Sequence, residues 1–318
     1  MNIVILDGFA VNPGDLSWER FERFGNVTVY AKTSNEDASA KCIDADIVFT
    51  NRVKLDDSFF EKCKKVKFVN TLGTGFDMIE LEACKKRGIN VCNIPAYSTA
   101  SVAQLAFTLI LNLVTDVNGL QKIVEDGLWT GVPDFQYQKT KFIELMDMKL
   151  GLIGCGNIGK AVARMGEAFG MEIIATSKTK TSGIYDGIKY DTFENVLAQS
   201  DIISVHCPLN DETRGLIDDN AIKLMKDGVI LVNTSRGAVL NEVDVANAVK
   251  CGKIAALGVD VLTQEPPQND HPFLSIPHTI ITPHAAWTTK AARLRLLDVL
   301  EKNVESFCKT GRGINNIV

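Results

Sequence analysis

The sequence predicts an α/β protein made of two doubly wound parallel sheets, a Rossmann unit and a smaller flavodoxin-like one. Three observations predict it. Between Lys149 and Lys180, an apolar run (150–153) enters the pattern GCGNIG; a helix-spaced segment (158–169) follows, and Gly170 closes it before a second strand begins at Ile173. On either side of that stretch, short apolar runs alternate with helix-spaced segments, which builds parallel sheets covered on both faces. Polar residues recur directly after the apolar runs, at the carboxyl edge where such sheets bind ligands.

The glycine stretch comes first because its spacing is the most demanding. Gly154 permits the tight turn, Gly156 lets the backbone approach a pyrophosphate, and Gly159 allows close packing of helix on strand. The helix that starts at Asn157 and Ile158 then points unpaired N–H groups and its positive dipole end at the phosphates. A carboxylate about 20 positions on should hold the adenosine ribose 2′-hydroxyl. Here the strand ends at Ser177, followed by Lys178, Thr179 and Lys180. With no carboxylate to repel it, a 2′-phosphate would find two hydroxyls and two ammonium groups, which points to NADP over NAD. The same four residues also read as a solvated loop that carries two lysines.

Length and composition bound the rest. With 318 residues, 46% of them hydrophobic, the chain can bury two cores. A net charge of −5 and no basic stripe argue against nucleic acid as a partner. The eight cysteines are scattered without a CxxC pair and read as small buried residues in a reducing compartment. No apolar run approaches the ~18 residues that span a membrane. The N-terminus MNIVILDGF begins as a strand, with no charged leader or cleavage site, so the expected location is the cytoplasm. No metal site is expected.

Taken in order, strands are predicted at 2–6, 27–30, 47–50, 66–71 and 90–92, with helices at 16–24, 36–42, 57–64 and 78–86 between them. Two loops stand at strand ends: Arg52 after the third strand, and Gly73, Thr74 and Gly75 after the fourth. A guanidinium and a row of backbone N–H groups both suit a carboxylate, although a solvated arginine and a plain turn would look the same. Residues 99–125 read as a long helix or a helix pair opened by Ser98, Thr99 or Ser101. From Val102 to Val114 it is apolar nearly all round and must be covered on every side; a dimer interface is the expected cover. Residues 129–148 look irregular. Beyond the glycine stretch, strands are predicted at 202–204, 229–232, 255–259 and 279–281, and a helix at 288–307. Their ends bring His206, Cys207 and Pro208, then Thr234 and Arg236, then Asp260 with Glu265 five residues on, then His284, to one crevice. His271 and His278 flank prolines in a loop, match no motif and read as surface residues.

The combination GCGNIG, HCPLNDETRGLI, NTSRGAVLNE, LGVDVLTQEPP and ITPHAAW resembles the D-isomer-specific 2-hydroxyacid dehydrogenases over essentially the whole chain. The pieces TNRVKL, NTLGTGFDMIE and NIPAYSTASVAQ are most similar to the glycerate dehydrogenase, or hydroxypyruvate reductase, branch. The resemblance implies an NAD(P)-dependent reductase of a small 2-oxo acid, hydroxypyruvate or glyoxylate before lactate-type or bulkier acids. It implies that Arg236 clamps the substrate, that His284 supplies the proton with Glu265 holding it, and that Asp260 orients the nicotinamide carboxamide. His206, Cys207, Pro208, Thr213 and Thr234 would line the cofactor, and Arg52 and residues 73–75 would meet the substrate. The last helix would return to the N-terminal domain, giving a substrate domain of 1–98 plus 287–318 around a cofactor domain of 99–286, hinged near Ser98 and Trp287. Three positions depart from the pattern: Ser177 for the ribose-binding acid, Ala96 for a glycine, to which no consequence is assigned, and Arg52 for a lysine. A different class of protein on this fold, a dinucleotide sensor without turnover, also fits the cofactor motif; intact Arg236, Glu265 and His284 weigh against it.

Overall fold

The structure, a computed structural model, describes residues 1–130 and 142–318. It divides into two compact units, Met1–Ser98 with Trp287–Val318, and Thr99–Ala286. In the first, strands β1 (Asn2–Ile5), β2 (Asn26–Val29), β3 (Ile47–Thr50), β4 (Phe68–Thr71) and β5 (Asn90–Cys92) pair in parallel in the order β2-β1-β3-β4-β5. That is the flavodoxin-like winding. Helices α1 (Gly8–Val11), α2 (Ala38–Lys41), α3 (Asp57–Lys62) and α4 (Leu81–Arg87) connect the strands. β3, β4 and β5 are buried at every residue, as strands covered on both faces must be, whereas edge strand β2 is largely exposed.

The segment expected as a helix over 16–24 is instead a 3-10 turn, Glu19–Phe24. Trp18, Phe21 and Phe24 recur every third residue, which is the 3-10 period, and that row packs on the core beside Phe49.

The second unit opens with α5 (Thr99–Thr115) and α6 (Val117–Glu125), bent 53° from each other. The break lies at Asp116, which takes a left-handed backbone and caps α6 by accepting the Gly119 N–H. Among the described residues no single helix is long and apolar enough to cross a membrane. The apolar girdle of α5 finds most of its cover within its own unit: Ala103, Ala106, Phe107, Leu109 and Ile110 pack with Leu150, Val162, Ile230 and Val232. The irregular stretch expected over 129–148 lies partly outside the described residues.

There follow β6 (Lys149–Ile153), α7 (Asn157–Ala168), β7 (Glu172–Thr176), β8 (Gly183–Tyr185), β9 (Ile188–Tyr190), α8 (Phe193–Gln199), β10 (Ile202–Val205), α9 (Asp219–Leu224), β11 (Val229–Asn233), α10 (Glu242–Lys250), β12 (Ile254–Val259) and β13 (Thr279–Ile281). The sheet order is β13-β12-β11-β10-β6-β7-β9-β8, parallel except for the edge pair β8 and β9. The order reverses at β6, so the crevice at its carboxyl end is the topological switch point.

The chain then returns to the first unit with α11 (Lys290–Thr310), capped by Thr289. Leu296, Leu297, Leu300 and Val304 are buried with Ile3, Ile5 and Phe49, each such side chain contributing about 1.5–3 kcal/mol. Arg293 is nearly sealed, yet both its terminal nitrogens reach Asp15 (2.6 and 2.8 Å) and its Nε donates to Thr288 O at 2.8 Å. A buried guanidinium is tolerated because its donors are satisfied in this way.

Candidate active site

Gly154, at φ 89°, follows β6; a Cβ there would lie 2.6 Å from Cys207 N, so only glycine lets the end of β10 come so close. A Cβ at Gly159 would meet Gly154 O at 2.5 Å, whereas one at Gly156 would point into open space. α8, α9, α10 and α11 are each capped by a side chain, but α7, starting at Asn157 and Ile158, has none. Its N–H groups are left for an anion, with room above Gly156 for a pyrophosphate.

At the end of β7, Ser177 Oγ accepts the Lys180 N–H at 3.1 Å and closes a tight turn. Lys178 Nζ lies 2.7 Å from both carboxylate oxygens of Glu212, and Lys180 Nζ lies over the rings of Tyr185 and Tyr190. The two lysines therefore stand at this corner, each with a partner of its own.

At the end of β10, His206 Nε2 is 2.9 Å from Ser204 Oγ, and the surrounding protein pushes its imidazole down to about 4. Desolvation disfavours its charge, so His206 is neutral at physiological pH. Burial likewise pushes the Cys207 thiol up to about 11 and raises that of Cys155. Of the eight cysteines only Cys251 and Cys308 are exposed. Thr213 Oγ1 donates to Pro208 O at 2.6 Å and so closes the 208–213 turn.

At the end of β11, Thr234 is buried, and its Oγ1 has no hydrogen-bond partner among the described residues. An orphaned hydroxyl costs free energy unless a ligand satisfies it. With the uncapped α7 and the space above Gly156, it fits a dinucleotide at this edge. Asn233 knits the next turn, accepting from Ser235 N and donating to Arg236 O at 2.8 Å, which presents Arg236 beyond the strand.

Asp260, at the end of β12, is fully buried. Its Oδ1 accepts from Thr282 Oγ1 (2.6 Å) and Ala285 N (2.8 Å), its Oδ2 from Ala286 N (2.9 Å), and its backbone carbonyl from His284 N (2.8 Å). Its carboxylate thus holds the turn that carries His284, with one lone pair left on Oδ2. His284 itself takes a left-handed backbone, φ 52°, rare for a side chain of this size and concentrated at functional sites. Its Nδ1 lies 2.7 Å from Glu265 Oε2, and Glu265 Oε1 accepts the Leu262 N–H at 3.1 Å. The pair leaves Nε2 as the nitrogen that can exchange a proton with a ligand.

In the first unit, Arg52 and the 73–75 loop follow the adjacent strands β3 and β4. Asp7 fixes the Arg52 loop by accepting its N–H at 3.3 Å. The carbonyls around the second loop are taken: Gly73 O by Thr71 Oγ1 and Ile94 N, Thr74 O by Asn93 Nδ2. Among the described residues the N–H groups of Gly73, Thr74 and Gly75 have no internal acceptor, the polarity a carboxylate needs.

Two readings are corrected. His271 is not a surface residue: it is buried, its Nε2 3.1 Å from Glu242 Oε2, because the loop after Pro267 folds back onto α10. His278 is exposed. Ala96 does carry a consequence, since its backbone is left-handed at φ 58°. Glu242 and Asp7 are given no role by the sequence reading: Glu242 closes the stretch NTSRGAVLNE, but neither it nor Asp7 stands at a spacing that reveals its partner.

A family described as the D-isomer specific 2-hydroxyacid dehydrogenase NAD-binding domain matches residues 107–286. A hydroxypyruvate reductase of Blautia hydrogenotrophica is 40% identical over 313 residues, covering 97% of each chain. A glyoxylate reductase of Aeropyrum pernix is 34% identical over 88% of this chain and 85% of its own. Among solved structures, an acyclic imino acid reductase in complex with NADPH and D-Arg superposes over the full length of both chains with TM-score 0.89 at 28% identity. A D-lactate dehydrogenase of Aquifex aeolicus complexed with NAD and lactic acid superposes over 98% of this chain and 99% of its own with TM-score 0.85, also at 28% identity. The chain belongs to the D-isomer-specific 2-hydroxyacid dehydrogenases, oxidoreductases that use NAD(P) on small 2-hydroxy and 2-oxo acids.

Proposed function

We propose that the chain reduces hydroxypyruvate to D-glycerate, or glyoxylate to glycolate, with NADPH before NADH. The observation that carries this is the 2.7 Å pair of His284 and Glu265 on the same sheet edge as Arg236. The names of the hydroxypyruvate and glyoxylate reductases above support the choice of acid.

When bound, the reduced nicotinamide supplies a hydride to C2 of the acid. Arg236 grips the carboxylate and polarises the 2-oxo group with a planar, permanently charged fork. As the C=O electron pair moves onto oxygen, His284 gives that oxygen the proton on Nε2, and in the oxidative direction takes it back. Glu265 fixes the ring and compensates the imidazolium. Neutral His206 lacks the second ring proton that an imidazolium gives up, and it lines the cofactor with Cys207, Pro208, Thr213 and Thr234. Gly154, Gly156, Asn157, Ile158 and Gly159 hold the pyrophosphate, and Asp260 orients the nicotinamide through its remaining lone pair. In the smaller unit, Arg52, Gly73, Thr74 and Gly75 are the residues suited to an acid's carboxylate. Ser177 and Lys178 replace the ribose-binding acid, the basis for placing NADPH first. The active form is a homodimer.

The test is the initial rate of NADPH and NADH oxidation with hydroxypyruvate and with glyoxylate. Turnover favouring NADPH is expected; Ser177→Asp should shift the preference toward NADH by about tenfold or more, the size of one charged hydrogen bond. His284→Ala should lower kcat by about 10²–10⁴, the usual worth of a positioned acid. No turnover by protein shown to bind both cofactors would overturn the substrate assignment.

A further inference from the structure

The loop that leaves β12 supplies one member, Glu265 or His271, to each of two glutamate–histidine pairs, and only the pair with His284 has a part in proton transfer. Glu242, the first residue of α10, accepts the Thr263 N–H on Oε1 at 2.8 Å and faces His271 Nε2 at 3.1 Å with Oε2. His271 Nδ1 in turn accepts the Phe273 N–H at 3.2 Å. A nitrogen that accepts a backbone N–H carries no proton, so the ring proton sits on Nε2 and is donated to Glu242. Both side chains are nearly sealed, 7% and 15% exposed. A carboxylate taken out of water is costly unless its lone pairs are used. Here both oxygens serve one end: they fasten residue 263 to residue 271 and to the start of α10.

The peptide so fastened is where the site's parts meet. A Cβ on Gly237, the residue after Arg236, would fall directly on the peptide joining Leu262 to Thr263. The Arg236 turn therefore lies flat against it. On the same loop, Leu262 N–H holds Glu265 Oε1 at 3.1 Å while Glu265 Oε2 holds His284. Movement of this peptide would displace the acid's partner and the arginine turn together.

We propose that Glu242 and His271 are positioning residues of the reaction: they clamp the peptide after Leu262 so that Glu265 stays on His284 and the Arg236–Gly237 turn stays seated against that peptide. The proposal rests on the roles given above to Arg236, Glu265 and His284.

The full-length enzyme tests it with NADPH and hydroxypyruvate. Glu242→Ala and His271→Ala should lower kcat by about 10–100-fold, the range a displacement of about 1 Å produces, while the NADPH Kd stays within about twofold. His271→Gln, whose amide nitrogen reaches the same Glu242 oxygen, should recover most of that loss. In a Glu265→Gln background, Glu242→Ala should cost less than in the wild type, because the charge it positions on His284 is already gone and only its hold on the Arg236 turn remains to be lost. A kcat unchanged in Glu242→Ala, or losses that simply multiply with Glu265→Gln, would overturn the clamp. Should Glu242→Ala fail to fold, the His271→Ala and His271→Gln pair makes the same comparison. No turnover by the wild type would count against the substrate assignment alone. In that case the ring ¹⁵N resonances of His284 decide the clamp: they move in Glu242→Ala if it holds and stay put if it does not.

Discussion

Ala96 is exposed and holds a left-handed backbone at φ 58°, a conformation that costs an L-residue about 1–2 kcal/mol. The turn it belongs to braces the 73–75 loop, since Ile94 N donates to Gly73 O at 2.9 Å and Asn93 Nδ2 to Thr74 O at 2.8 Å. Glycine would remove the clash and lose about 0.4–1 kcal/mol to the freer unfolded chain. Ala96→Gly should therefore raise the thermal midpoint slightly and Ala96→Val should lower it, as read by calorimetry; the opposite order would show that this backbone carries no strain. At this scale the sequence was legible wherever a residue type serves one purpose. Gly154, Arg236 and His284 announce themselves by their motifs. His271 did not, because a histidine flanked by prolines looks the same in a solvated loop as in a sealed pair with Glu242, whose position 29 residues earlier in the chain gives no spacing that ties the two together. Ala96 was noticed only as an odd residue; a positive φ has no signature once glycine is replaced.

Asp201 shows how one residue, through its side chain and its backbone, fastens three strands at the start of the larger sheet. Its carboxylate accepts Lys149 N–H at 2.8 Å and Lys226 Nζ at 2.7 Å, and its backbone carbonyl accepts Ile230 N–H at 3.1 Å. Burial alone would push its carboxyl up; the Lys149 N–H and the Lys226 ammonium outweigh that and hold it below its usual value of 3.8. A depressed value in the folded state means stability present above the ordinary carboxylate range and lost as pH falls through the folded value. Asp201→Ala should destabilise by about 1–3 kcal/mol near neutral pH, where a charged hydrogen bond is lost, and the gap to wild type should close in urea titrations below about pH 4. A gap that persists in acid would mean that packing, not charge, is at stake. The strands that Asp201 joins were plain in the sequence because they are apolar at nearly every position, as buried parallel strands must be. The hairpin of β8 and β9 was not read, although Asp186 and Gly187 carry the positive φ values of a two-residue turn and that dipeptide is a strong hairpin signal. Its strands are three residues each, one of them wholly exposed, too short for alternation to show. The turn at Glu19–Phe24 was mistaken for an α-helix because periods of 3 and 3.6 diverge little over six residues.

For the whole molecule, the question the chain leaves open is what covers the apolar surface on α6 and beyond. The apolar girdle of α5 asks for a partner when read from the sequence, yet α5 buries Ala103, Ala106, Leu109 and Ile110 within its own unit. Val117, Val124, Leu128 and Trp129 are 49–58% exposed, and the first two stand seven residues apart, on one face of a helix. Exposed apolar side chains on and just after a helix that carries no buried residue of its own fit a symmetric partner, and a second copy is the commonest one. Light scattering after size exclusion should give twice the 34.8 kDa of one chain. Val117→Glu with Val124→Glu should halve that mass, since exposed substitutions of this kind scarcely disturb a monomer but place two charges in a desolvated interface. The thermal midpoint of the wild type should also fall on dilution, as mass action requires of a folded dimer, and that dependence should vanish in the double variant. A wild type that elutes at 34.8 kDa would refute the dimer outright. A double variant that stays dimeric would move the interface off α6 and return the α5 girdle, through its half-buried Leu105 and Leu111, to the argument.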